Sequence, residues 1–552
     1  MTTGDTPPAP GQLEATPRAG RRVEDRTGSL PGERRAADGS LQRLMGAAVI
    51  VMSGFVASKL LGLVRNIVIS HQYGASRDYE MFLAAISVPD TVFQVLAGGA
   101  VSAAFIPVFA TYLSQSDRER AWRLASALVN VALITLGCVS ALLALAAPAI
   151  MGILVAGWPP ENQARAATLT RIMLVTPAVF AASALLTSAL NAVHRFALAA
   201  AAPLAYNLSL ICSALLFRSL GAEALALGAV VGAFLHLGVQ VPGALRVGMR
   251  YSLTLGLDLQ GTRDVIRLML PRVIGLGVSQ VNQLINVALA SFLVVGSIAY
   301  LNYAWLILMV PLGIFAMGLS TALFPTLARQ SAEARADEER ATFLFGLRLI
   351  LYTTIPAAIG LIVLGRPIVS LLLQRGAFTG ADAAATAMAL GWYAIGLPGH
   401  SMIEIVDRVF YAERNTATPV RVAAGAVLLN VALSLVLMRT GLSFGGLALA
   451  NSIAALAEAT TLTLLLQRTL GWVYPVELLD FGWRIGLSAI AMGVTAMLLQ
   501  GIAGQAGGAY QWIGQLALVV GVTGASGVTY VAVAHLLGVR DARMVARLLR
   551  GR

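Results

Sequence analysis

Ser58-Lys-Leu-Leu-Gly-Leu-Val-Arg-Asn66 opens the stretch that decides the fold, which runs on to Phe105-Ile-Pro107 and Tyr112. Its two segments are apolar enough to cross a bilayer, yet the first carries Lys59 and Arg65. An ionisable side chain at that depth costs at least ~2.5 kcal/mol, so it is rare without a role. A 3.6-residue period places Ser58, Lys59, Gly62, Arg65 and Asn66 on one helical face. In the next segment Glu80, Ser87, Thr91, Gln94, Gly98 and Ser102 share a face in the same way. Pro89 lies among them and bends the helix. Two facing polar stripes with small residues predict a wet cavity between helices. The alternative is that Lys59 and Arg65 snorkel from a helix end to the headgroups.

The rest of the composition agrees with a membrane. Of 552 residues, 57% are hydrophobic and only 12% charged, which excludes an ordinary soluble protein and points to an all-α, polytopic membrane protein. The net charge of +12 would fit nucleic-acid binding if it formed one patch. The arginines instead lie in short loops and two tails, so they orient the chain in the membrane, and no nucleic-acid partner is expected. Cys138 and Cys212 sit in apolar segments and form no disulfide or metal pattern. The histidines are scattered, and there is no phosphate loop or nucleophile elbow, so neither an enzyme nor a cofactor is implied. Asn207-Leu-Ser209 reads as a glycosylation sequon but lies inside a span, where it carries no meaning.

Residues 1–42 are rich in Pro, Gly and charge and predict a disordered tail without a signal peptide. Beyond them come about fourteen apolar segments of at least ~20 residues each. An internal repeat runs through them. Gly74 and Gly296 lie 222 positions apart, as do Pro89 and Pro311, and Ser102-Ala-Ala-Phe-Ile-Pro107 echoes Ser320-Thr-Ala-Leu-Phe-Pro325. The expected organisation is an N-lobe over 43–250 and a C-lobe over 251–470, six spans each. Residues 471–552 add two further spans and a basic tail. Two copies in the same orientation predict a parallel repeat, with two lobes in a V and a substrate site between them. Gly62, Pro89, Gly98, Gly99, Ser102 and Pro311 are the candidate hinge and close-packing positions.

A cation-lined cavity implies an anionic substrate, and arginine forks suit phosphate. The candidate binding residues are Lys59, Arg65, Asn66, Glu80, Gln94 and Arg272. Arg272 is either an interface anchor or a second-lobe cation facing the cavity. In the tenth span Glu404 and Arg408, four residues apart, predict a self-paired salt bridge.

At Ser58–Asn66, Tyr73-Gly74, Val88-Pro89-Asp90, Gly99–Ser102 and Phe105-Ile-Pro107 the chain resembles the MurJ/MviN lipid II flippases. Gly277–Asn286, Leu323-Phe-Pro325 and Arg408–Ala412 with Thr418-Pro419 are similar to that family as well. The family belongs to the multidrug/oligosaccharidyl-lipid/polysaccharide exporter superfamily. The resemblance implies a flippase that moves an undecaprenyl-pyrophosphate-linked peptidoglycan precursor across the bacterial cytoplasmic membrane, driven by membrane potential or an ion gradient. It implies a monomer whose partners are membrane lipids, the lipid-linked glycan pyrophosphate and the cell-wall synthesis machinery. Glu80 would then orient a cavity cation. The chain departs from the family pattern at several places. Lys59 stands for an arginine, Asn66 and Glu80 for aspartates, Phe93 and Gln94 for an arginine pair, and Trp305 and Leu306 for an Asp-Arg pair. The rival readings are a flippase for another polyprenyl-linked oligosaccharide, a MATE-like exporter, and a non-transporting structural partner of cell-wall synthesis.

The arginine bias places both termini in the cytoplasm. Reporter fusions at Gly157 and Gly380 are expected outside, and at Ser116, Ala334 and Arg552 inside. A C-terminal fusion that reads outside contradicts this topology.

Overall fold

The computed structural model describes residues 54, 56–97, 100–115, 117–470, 476–505 and 512–539. The helices below all belong to the unit Ser53–Arg552. The expected N-terminal tail, Gly98, Gly99 and the basic C-terminal tail lie outside the described residues, as do the side chains of Ser102 and Arg272. No strand occurs among the described residues. In chain order the helices are α1 (56–73), α2 (Arg77–Leu96), α3 (Ala100–Ser114), α4 (Arg118–Leu154), α5 (Pro160–Met173), α6 (Thr176–Ala192), α7 (Phe196–Leu216), α8 (Ala222–Gly238) and α9 (Val241–Arg246). Then follow α10 (Gln260–Ser291), α11 (Ser297–Pro311), α12 (Gly318–Ala332), α13 (Ala336–Leu373), α14 (Gly380–Ala412), α15 (Ala417–Leu437), α16 (Phe444–Leu470), α17 (Val476–Gln505) and α18 (Trp512–Leu536).

Local chemistry sets these boundaries. The Ser76 hydroxyl accepts from the Tyr79 N–H and starts α2, and Asp117 does the same for Arg120 at α4. Thr379 and Asp382 form a reciprocal capping box at α14,. Gly296, at φ 97°, supplies the left-handed turn into α11,. Within the spans, hydroxyls turn back on their own helix. Ser126 donates to the Trp122 carbonyl, Ser401 to Leu397 and Thr463 to Ala459, so they need no solvent. Pro89 removes the donor that would reach the Ala85 carbonyl. The Thr170 hydroxyl of α5, which donates to its own Ala166 carbonyl at 2.9 Å, also lies 3.4 Å from that carbonyl. Directly after Pro311, residues Leu312–Met317 wind as a π-helix before α12. Such segments recur at functional bends.

Ten helical stretches among the described residues are long and apolar enough to cross a membrane. The sequence predicts about fourteen. The difference falls on α1, which is described only in part, and on α2–α3, α10 and α14. Those last three carry many of the ionisable and amide residues. Leu145, Ile153, Leu428 and Val528 stand largely exposed, as lipid-facing residues do.

The neighbour pattern repeats along the chain. In the first half α3 packs on α4 and α6, α4 on α5 and α6, α6 on α8, and α7 on α8; in the second, α12 packs on α13 and α14, α13 on α14, α14 on α16, and α15 on α16. The two halves thus fold alike, as the proline and glycine registers predict. α17 and α18 pair with each other and dock on α13, where the Tyr530 hydroxyl donates to the Tyr352 carbonyl at 2.6 Å. α10 belongs to both halves. It packs on α15 and also against α2, α3 and α4, and the segment before it is pinned to α4 by Asn130 and the Arg123–Asp258 ion pair.

Close helix approach rests on small residues. A Cβ on Gly396 would lie 2.6 Å from the Ser452 backbone, whereas one on Gly425 would meet nothing within 4 Å. Gly396→Val is therefore expected to destabilise the α14–α16 contact by roughly 1–3 kcal/mol, read as a lower thermal midpoint in detergent, with Gly425→Val close to wild type. Equal midpoints for the two variants contradict this packing.

Candidate functional site

The two halves meet tightly at one end. The Ala377 N–H donates to the His71 carbonyl at 2.8 Å, and the Tyr303 hydroxyl donates to the Gly74 carbonyl at 3.3 Å. Gly74, at φ 59°, has no room for a side chain, because a Cβ would lie 2.4 Å from the Ala377 oxygen. Tyr79 stacks on Tyr303 with ring centroids 5.1 Å apart, and its hydroxyl donates to Asn302. Gly157 abuts Ser291, whose hydroxyl accepts from the Gly157 N–H.

Glu80 is the polar centre of this end. Its side chain is 1% exposed and pairs with Arg77 at 3.0 Å. Its other oxygen accepts the Ile298 N–H at 3.0 Å. Ile298 lies in the first turn of α11, so a carboxylate from one half caps a helix of the other, where the helix dipole favours negative charge. Glu80 thus orients no cavity cation: it pairs with Arg77, which also lies over the Trp158 ring at 4.6 Å. The i,i+3 spacing of Arg77 and Glu80 at a helix start is the sequence signal for that pairing.

Arg65 is held by neutral partners. It donates to Asn66 Oδ1 at 3.2 and 3.3 Å and to Asn207 Oδ1 of α7 at 3.0 Å. Gly62 lies just below, with the Asn207 amide 3.9 Å from where its Cβ would be. Asn207, read from sequence only as an empty sequon, is thus the residue that fixes Arg65. Its counterpart in the second half is Asn430, 223 positions on, which donates to Asn282 at 2.8 Å and to Asn286 at 3.4 Å. In each half an asparagine of the fifth segment reaches the first. Lys59 and Gln94 are exposed. Phe93 packs at a tilt against Phe180, ring centroids 5.5 Å apart, where the resemblance places a cation.

A cavity of about 560 Å³ lies between α2 of one half and α10, α11, α14, α15 and α16 of the other. Its polar wall is made of amides, aromatics and two carboxylates. Asn282, Gln283 and Asn286 face it from α10, Asn302 and Trp305 from α11, His400 from α14, Asn430 from α15, and Asn451 and Glu458 from α16, with Asp90 opposite. His400 bonds to Asn451 at 3.1 Å and meets Trp305 edge-on at 5.3 Å. The sequence predicts a basic cavity. Among the described lining residues there is no lysine or arginine, and Lys59 and Arg65 are not part of this wall. The reason is helical phase: α10 turns its amides inward and α11, α15 and α16 add Asn302, Asn430 and Asn451, while Arg65 engages α7. Further along α14, Arg408 pairs with Glu404 at 3.9 Å, as predicted. No group of acidic, histidine and cysteine residues that could hold a metal occurs among the described residues.

Comparison with known proteins gives one consistent result. A family model described as lipid II flippase MurJ matches residues 69–519. The chain is 30% identical to the lipid II flippase MurJ of Burkholderia cenocepacia over 76% of this chain and 83% of that protein. It is 29% identical to a probable lipid II flippase MurJ of Haemophilus influenzae, over 79% and 89% of the two chains. Among solved structures, a lipid II flippase MurJ in an inward closed conformation matches with a TM-score of 0.73 at 23% identity, covering 90% of this chain and all of that one. An inward-facing MATE multidrug transporter matches with a TM-score of 0.65 at 13% identity, over 77% and 98%.

Removing the Glu80 cap leaves a buried N–H unpaired, at a cost of about 1–3 kcal/mol. Glu80→Ala is expected to speed amide hydrogen exchange at Ile298–Leu301 roughly ten- to a hundred-fold. Unchanged exchange shows that Glu80 does not secure this end.

Proposed function

Because the chain belongs to the lipid II flippase MurJ family, we propose that it carries a polyprenyl-pyrophosphate-linked peptidoglycan precursor across the bacterial cytoplasmic membrane by alternating access. The observation that supports this most is the polar cavity set directly behind a sealed end, with both halves contributing wall. A lipid pyrophosphate entering between the halves would keep its chain in the bilayer and its pyrophosphate at Arg65, with the rest of its head turned toward that cavity. The sealed end is the outer one on the arginine bias, so this conformation faces the cytoplasm, with both termini inside and about fourteen spans.

Arg65 and Lys59 would neutralise the pyrophosphate. Arg65 is suited to this because Asn66 and Asn207 fix its fork through neutral carbonyls, and no carboxylate among the described residues ion-pairs with it directly. Its charge is therefore available to an anion, for which charge-assisted, bidentate bonds are the strong ones. Asn66 and Asn207 are positioning residues; Gln94 and Arg272 remain candidate contacts. Translocation then requires the Glu80–Ile298 cap and the His71–Ala377 bond to break while the cytoplasmic side closes. The π-helical turn after Pro311 is the flexible joint through which α11 would follow. No covalent intermediate is needed. The precursor and membrane lipids are the partners, the cell-wall synthesis machinery would receive the product, and the transporter would act as a monomer. The domain division is an N-lobe to residue 250, a C-lobe from 251 to 470 and two appended helices.

A second reading, a MATE-like exporter of organic cations, is favoured by Asp90 and Glu458 in the cavity wall. Complementation separates the two. In a strain depleted of its own lipid II flippase, the protein is expected to restore growth. Arg65→Ala is expected to abolish rescue with normal membrane levels, since losing one charge-assisted bond to phosphate lowers affinity roughly ten- to a hundred-fold. Wild-type rescue by Arg65→Ala would make Arg65 a headgroup anchor only. Failure of the unaltered, stably expressed protein, together with export of organic cations, would favour the second reading.

A further inference from the structure

The site is divided by chemistry. The cation fixed by α1 and α7 stands on one side, and the chamber wall built by α10, α11, α14, α15 and α16 on the other. Asp90 of α2 lies on the chamber wall. The described wall of the chamber, with two carboxylates and no lysine or arginine, offers an anion no charge partner,. What the wall does offer is directional and neutral. The carbonyl oxygens of Asn282 and Asn286 are both directed at Asn430, which aligns the two amides and leaves their N–H donors for a ligand. His400 is fixed by Asn451. Trp305 is half-buried at the wall, its ring braced edge-on by Tyr393 at 5.4 Å and His400 at 5.3 Å. A braced aromatic face beside a set of oriented amides recognises flat, hydroxyl- and amide-bearing ligands of no net charge, which is the surface an N-acetylated sugar presents.

We propose that this chamber is the glycan-reading half of the binding site. Trp305 stacks on an N-acetylated sugar ring while Asn282, Asn286 and His400 bond its hydroxyl and acetamido groups. The pyrophosphate stays outside, on Arg65. This rests on the flippase reading given above and adds to it a division of labour: charge contacts hold the carrier lipid, and neutral contacts choose the head. It also gives the tryptophan at position 305 a role of its own, as the aromatic surface of the chamber wall.

The test compares two probes on purified protein in nanodiscs: polyprenyl pyrophosphate alone, and the same lipid bearing an N-acetylated disaccharide. Wild type is expected to bind the disaccharide-bearing lipid more tightly. Trp305→Ala and the double variant Asn282→Leu/Asn286→Leu are each expected to lose about ten-fold for that lipid, roughly one stacking or hydrogen-bond contribution. Their affinity for the sugar-free lipid should be unchanged, and Trp305→Phe should keep most of the discrimination. Arg65→Ala should weaken both probes alike. Unchanged sugar-free binding also certifies that the variants are folded. If Trp305→Ala weakens both probes equally, or neither, the glycan role is overturned while the flippase reading stands. If wild type binds neither probe, the flippase reading falls and this inference falls with it.

Discussion

A carboxylate buried inside a protein has to be compensated, and the two halves of this protein are joined where that happens. Glu80 is almost fully enclosed. Leaving an ionised group there unpaired would cost several kcal/mol. Arg77 compensates it from its own helix and the Ile298 N–H from across the interface. The second contact exists only while the halves are together. Separation exposes both groups to water, so the contact is strong when dry and replaceable when wet. That property suits a seal that must open. The glycines around it make the approach possible: Gly74 and Gly157 lie against the backbone of the other half with no space for a Cβ.

The same constraint explains how the polar residues are distributed. In apolar surroundings each donor and acceptor needs a partner. Serines and threonines find one in their own helix. Asparagines find one in a neighbouring helix, and the Arg65–Asn207 and Asn430–Asn282 contacts are two copies of one device, used in the first half to fix a cation and in the second to orient amides. The repeat has diverged in charge while keeping its geometry. A cation held between α1 and α7 and a hydrogen-bonding chamber with no cation on its described wall follow from that divergence.

Much of the fold was legible because its signals are periodic. The apolar segments, the proline and glycine registers and the paired ion Glu404–Arg408 all follow from spacing along one helix. The site was legible only where a residue contradicts its surroundings: Arg65 stands out because charge in a span is expensive. Asn207 and Asn430 did not stand out, since an amide in a span is unremarkable until its partner helix is known. Phase misled at one place: Glu80 shares a face with Gln94 by period, yet it lies at the first turn of α2 and turns to Arg77 and α11. The amides of α10 cluster along one span, and only the arrangement of α11, α14, α15 and α16 around them makes a chamber. The departures at Phe93 and Trp305 were legible as losses of charge. Their roles as packing partners of Phe180, His400 and Tyr393 come from tertiary contacts that a single helix does not encode.

The central claim is that transport requires the sealed end to open. His71 and Ala377 are joined backbone to backbone, so a disulfide between these positions is the lock to place on this end. The decisive measurement is lipid-precursor flipping in proteoliposomes by a His71→Cys/Ala377→Cys variant lacking Cys138 and Cys212, oxidised and then reduced. Alternating access predicts that oxidation stops flipping and that reduction restores it. Flipping at the same rate with the disulfide formed would contradict the account.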